Sequence, residues 1–239
     1  MTLPVFYARP ESTGSALSVP PALASWDTAG SPGQVRSAAF AADVQAAVAM
    51  QLRLTPDPLA LRVDIGLPDT VPLLALNDLD NYLFPLVPRL TKGFGRQFAS
   101  VWATKRHATR SSVAVCQTHT VQDPGGVYSL QVHTTASASS TAYKRQIRDQ
   151  IIAAQPLLDG GIALQLGFVV GPRRAWPNLW KPTIDSLGSI LGSDAGAREW
   201  DARDGRITDL GLHCVVDPAA GNQVTIAIRA DTIGKQAAR

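Results

Sequence analysis

The chain reads as an α+β protein made of two similar halves that associate as a pseudo-dimer, each with a small mixed sheet and two helices. Three observations lead there. A helical pattern, an apolar strand, a proline-bearing loop, a second helix and further strands occur once in each part of the 239-residue sequence, in the same order. The strand beginning at Leu59 recurs at Ile162, an offset of 103 residues that matches one small domain. A Ser/Thr/Ala run, Thr134–Thr141, separates the two series and reads as a linker. The expected division is an irregular arm over 1–36, a first half over 37–135 and a second over 136–239.

Each element has a local reason. Residues 1–36 are rich in Pro, Ser, Gly and Ala, with one short strand signal at Leu3–Tyr7. Ser37 can cap a helix with Phe40, Val44 and Val48 on its apolar face, ending before Pro56. Leu59–Leu67 alternates strictly and predicts a strand with one buried face. A loop with Pro68 and Pro72 leads to a helix from Asp78 to about Leu90, closed by Gly93 and Gly95. Strands follow near 98–104, 112–118 and 127–134. In the second series Ser140 or Thr141 caps a helix to Ala154, stopped by Pro156, and a strand spans 161–170. A loop with Pro172 and Pro177 opens a helix ending near Gly192, and strands follow at 206–216 and 223–230.

Composition narrows the class. With 45% hydrophobic and 17% charged residues the chain is an ordinary globular sequence, not a disordered one. No apolar run reaches the ~20 residues a membrane span needs, so no membrane partner is expected. The start shows no secretory signal, and Cys116 and Cys214 make no disulfide framework, which points to a reduced, cytoplasmic protein. Cys116, His119, His213 and Cys214 lack zinc spacing. Phosphate-loop, dinucleotide and nucleophile-elbow motifs are absent.

The net charge of +3 is unevenly spread. Arg89, Lys92, Arg96, Lys105, Arg106 and Arg110 occur without an intervening acid, interleaved with Phe94, Phe98 and Trp102. Lys144 and Arg145 add a second cluster. Such a distribution can follow a phosphate backbone, or it can be a solvated face beside core aromatics.

The chemical candidates lie at the two motif helices. Asp78-Leu79-Asp80-Asn81 sets two carboxylates at a strand-to-helix turn, which suits a hard divalent cation such as Mg²⁺. Helix capping by Asp78 is the competing explanation. Asn178, Lys181 and Asp185 form the related segment of the second half, where Trp176 and Pro177 stand before the asparagine and no carboxylate does. Lys181 can offset phosphate charge or lie along Trp180. Asp201 and Asp204, before the strand at 206, are either further ligands or solvated acids.

These segments resemble the D-x-D-N-x-x-K-x-x-x-D helix start and later acidic pair of RusA-type Holliday-junction resolvases. Asp78, Asp80 and Asn81 match the first part, with Phe84 in the lysine's place; Asn178, Lys181 and Asp185 match the second part; Asp201–Ile207 is similar to the later segment. The resemblance implies a duplicated RusA-like fold that binds branched or double-stranded DNA as a monomeric pseudo-dimer or higher homo-oligomer. It implies Mg²⁺-dependent endonuclease chemistry, with Asp78 and Asp80 as metal ligands and Lys181, Asp185, Asp201 and Asp204 as further catalytic residues. The split of the motif between halves fits equally a catalytically inactive nucleic-acid-binding or structural module. In a symmetric pair each site is expected within its own half.

Overall fold

A computed structural model describes residues 2–11, 14–24, 28 and 30–234. The chain is mixed α+β. In order it forms β1 (Phe6–Tyr7), β2 (Ser15–Ala16), α1 (Pro32–Leu54), β3 (Leu59–Leu67), α2 (Leu79–Phe94), β4 (Phe98–His107), β5 (Ser112–Gln117), β6 (Thr120–Val121), β7 (Tyr128–Thr134), α3 (Thr141–Gln150), β8 (Gly161–Val170), α4 (Trp180–Asp185), α5 (Gly188–Leu191), β9 (Ile207–Val216) and β10 (Val224–Ile233). Short 3₁₀ turns, Trp176–Leu179 and Asp204–Arg206, precede α4 and β9.

One eight-stranded sheet organises the molecule, in the order β2-β5-β3-β4-β9-β8-β10-β7. Its order reads alike from either edge. β4 and β9 pair antiparallel at the centre; β3 and β8 lie parallel to them on either side; β5 and β10 return antiparallel. β2 and β7 close the edges, again antiparallel. The two parallel pairs share an irregularity: the register skips between Leu59 and Ala60, and between Ile162 and Ala163.

The helices bury an apolar layer against one face. Val44, Val48 and Leu52 of α1, Leu83, Leu86 and Leu90 of α2, and Tyr143 and Ile147 of α3 join the sheet's inner side chains in one core. No helix among the described residues is long and apolar enough to cross a membrane.

Several expectations need correction. α1 starts at Pro32, not Ser37, because Ser31 caps it: the backbone N–H of Gln34 donates to Ser31 Oγ, and proline occupies the first turn. Ser37 is buried within the helix. β3 is buried on nearly its whole length rather than on one face. The reason is the amino-terminal segment, which is no irregular arm: β1 pairs with β6, Phe6 is 3% exposed, and Arg62 of β3 donates to the carbonyl of Pro10. Tyr7 N–H donates to His213 Nδ1, and Arg9 pairs with Asp209 while lying over Trp102. β7, expected with the first half, pairs with β10 at the far edge. The 134–141 run therefore joins β7 to α3 and does not divide the chain.

Gly211 of β9 lets Trp102 and Gln165 close over the strand; a Cβ there would meet the Trp102 ring at 2.8 Å and Gln165 Cγ at 3.0 Å. Gly211→Ala should destabilise the fold by about 1–3 kcal/mol through overpacking. Urea unfolding checks this, with a lower midpoint and an unchanged slope expected.

Candidate metal centre

The candidate site forms where β4 ends and β9 begins. Leu76 and Asn77 both adopt left-handed backbone, φ 59° and 54°, an uncommon choice for residues with side chains. This sharp turn delivers Asp78 and Asp80 to the start of α2. Tyr82 Oη, one turn into the helix, donates to Asn77 Oδ1 and fixes the turn from below. Asp204 arrives from the 3₁₀ turn before β9. Gly205 permits the approach, since a Cβ there would meet the backbone nitrogen of Leu76 at 2.9 Å.

Lys105 joins the two turns. Its ammonium donates to the carbonyls of Leu76 and Asn77, each at 3.1 Å, and of Gly205 at 2.7 Å. The side chain is buried, at 3% exposure. Burial lowers its pKa to about 8, opposed by Asp78, Asp204 and Asp80. This residue belongs to the basic stretch read as a nucleic-acid surface, and the structure removes it from that surface. A lysine in a strand reads as solvated; only the fold reveals three carbonyls converging on it.

Carboxylate oxygens of Asp78, Asp80 and Asp204 lie within 4.8 Å of one another, an arrangement that can hold a metal ion. Asp80 is 2% exposed, and its Oδ2 has no hydrogen-bond partner among the described residues. Burial pushes the Asp80 pKa up to about 7; Lys181 opposes the shift, while Asp204, Asp78 and Asp185 add to it. Burial and the neighbouring Asp204 likewise raise Asp78, with Lys181 and Lys105 acting against them. Asp78 holds the cap position but makes no side-chain cap bond; its carboxylate accepts instead from Asn81 Nδ2 at 3.0 Å. Capping therefore does not account for it.

Lys181 of α4 completes the cluster. Its Nζ lies 2.6 Å from Asp204, 3.2 Å from Asp185 and 3.9 Å from Asp80. Burial disfavours its charge, but Asp80, Asp204 and Asp185 outweigh that and hold its pKa above the ordinary lysine range. Asp185 also pairs with Lys144 at 2.6 Å. Asp78, Asp80, Lys181, Asp185 and Asp204 thus come together from distant parts of the chain in one cluster, against the expectation of a site built within each part. Asp201 does not join them; it is exposed in the preceding loop.

The remaining basic candidates disperse. Arg96 donates to the carbonyls of Leu52 and Thr55 and pairs with Asp57, fastening the end of α1. Lys144 is held by Asp185. Arg89, Lys92, Arg106, Arg110 and Arg145 are exposed, but Lys92 follows α2 to one end of the sheet whereas Arg106 and Arg110 lie at the other. No single stripe forms. No family model, curated protein or solved structure matches the chain.

Two outcomes follow. Lys105→Met should cost about 3 kcal/mol, because a charged hydrogen-bonding group is lost and its carbonyl partners stay buried; chemical denaturation measures it. For Asp80, the folded chain binds a proton more tightly than the unfolded one, whose carboxyl has the ordinary pKa near 3.8. Its contribution therefore becomes increasingly unfavourable as pH rises from about 4 to about 7. Asp80→Asn should gain stability over wild type across that window, by at most about 4 kcal/mol above pH 7 and by little near pH 4. Thermal melts at several pH values check the trend.

Proposed function

We propose that this chain is a DNA-binding protein of RusA-like, internally duplicated fold, with one Mg²⁺-dependent site for phosphodiester hydrolysis in branched or double-stranded DNA. The observation that carries this reading is the convergence of Asp78, Asp80 and Asp204 with Lys181. The sheet order, alike from both edges, and the matched register skips support duplication; the boundary then falls before β7, since β2 precedes α1 as β7 precedes α3.

The residues fit a hard cation. All three donors are carboxylate oxygens, and among the described residues Asp80 Oδ2 has no hydrogen-bond partner, with the Lys181 ammonium at 3.9 Å. Asp78, Asp80 and Asp204 would hold Mg²⁺, which when bound supplies an activated water and charge stabilisation for the leaving oxygen. Lys181 would turn from its carboxylates toward a bound phosphate and offset its developing charge. Asp185 holds Lys181 in position from one turn along α4. Lys105 keeps the two acidic turns in register.

One observation favours a second reading, that of a catalytically inactive nucleic-acid-binding module. The ammonium of Lys181 already sits among the carboxylates, and an ion pair of this kind can satisfy an acidic cluster without a metal. A nuclease assay separates the two. Branched and linear DNA are incubated with Mg²⁺, Mn²⁺ or chelator. Cleavage should require the metal and fall at least 100-fold in Asp80→Asn and Asp204→Asn, with DNA binding retained. Binding of either substrate by wild type without cleavage favours the inactive module, and cleavage surviving both substitutions refutes the site.

A further inference from the structure

We propose that a basic groove at the opposite end of β4 from the carboxylates grips the phosphate backbone of duplex DNA, so that one chain holds DNA at one end and cuts it at the other. This rests on the DNA reading above and adds a second contact to it. The groove has a volume of about 1060 Å³, and its lining includes Lys92 and Arg96 near the end of α2 and Arg173 and Arg174 from the loop after β8. Its one lining carboxylate, Asp57, is paired with Arg96 at 2.8 Å. With Arg96 and Asp57 paired, the three remaining cations give the groove the sign a phosphate backbone requires.

The groove's position gives it meaning. It lies at the start of β4 and the end of β9, where Phe98 and Val216 line it; the carboxylates lie at the end of β4 and the start of β9. By the sheet's end-to-end correspondence, it occupies the counterpart of the acidic site. The 3₁₀ turn beginning at Trp176 opens there as α2 opens beside Asp78, but Ala175, Pro177 and Asn178 offer no carboxylate. The counterpart can bind phosphate and cannot hold the cation that cutting needs.

Arg96 and Arg174 are rigid walls of the groove: Arg174 Nη2 donates to the carbonyls of Thr135 and Asn222. Lys92 and Arg173 are exposed and, among the described residues, have no ion-pair partner. They are the cations free to meet DNA. With the carboxylate cluster at one end only among the described residues, each chain would make a single incision, nicking one strand.

The test measures binding with chelator present, so that cutting plays no part. A labelled linear duplex of about two helical turns is titrated by anisotropy at several salt concentrations. Lys92→Glu/Arg173→Glu should bind at least tenfold more weakly than wild type, with a salt slope smaller by about two. Arg36→Glu/Arg198→Glu makes the same charge change at exposed positions elsewhere and should bind like wild type. Unchanged melting temperatures in both variants confirm folding. If the groove variant binds like wild type, or the control loses as much, the groove is overturned while the nuclease reading stands. If wild type binds a branched DNA but not this duplex at low salt, the groove alone is overturned; if it binds neither, both are.

Discussion

The ammonium of Lys105 is the interaction on which the candidate site depends. It is buried, it bonds three carbonyls, and those carbonyls belong to the two turns that carry Asp78, Asp80 and Asp204. Three carboxylates crowded in one place repel one another and lose solvation. Lys105 from below and Lys181 from the side supply the opposing charge. The same contacts hold Leu76 in left-handed backbone that leucine rarely adopts, beside Asn77, which tolerates it better. Strain, buried charge and an oxygen without a hydrogen bond coincide here, as they do where structure is kept for chemistry rather than stability.

The geometry of the sheet's centre explains why, among the described residues, the carboxylates gather at one end. β4 and β9 run antiparallel at the centre, so each end of this pair joins the end of one strand to the start of the other. One end collects the carboxylates of α2 and of the turn before β9, with the lysine of α4. The other collects Arg and Lys side chains around Trp176.

Much of the fold was legible because strands carry period-two patterns and short helices carry caps. β8 falls where its apolar run does, and β4, β5, β7, β9 and β10 fall within a few residues of expectation. Asp78 and Asp80 stood out through their spacing at a helix start, and Lys181, Asp185 and Asp204 through the resemblance of their segments to the RusA-type motif. What stayed hidden was tertiary. Local sequence carries no sign that Lys105 faces carbonyls, that Gly205 admits Asp204, or that Phe6 and Arg9 cover the outer face of the sheet. The second motif helix was expected to run unbroken to Gly192; it is divided into a 3₁₀ turn, α4 and α5, with Pro177 in its first turn and Pro182 within α4. Asp201 resembles Asp204 in sequence, yet only the latter abuts the turn at Leu76.

Carboxylates from the start of α2 and from the turn before β9 meet in one cluster that can hold a cation. Titration of the purified protein with Mn²⁺, followed by electron paramagnetic resonance of the free ion, tests it without reference to any nucleic acid. One ion should bind per chain, with affinity reduced at least tenfold in Asp80→Asn and equally in Asp204→Asn, because each removes one ligand of the same site. Binding that is absent in wild type, or that is indifferent to Asp204→Asn, would contradict the account.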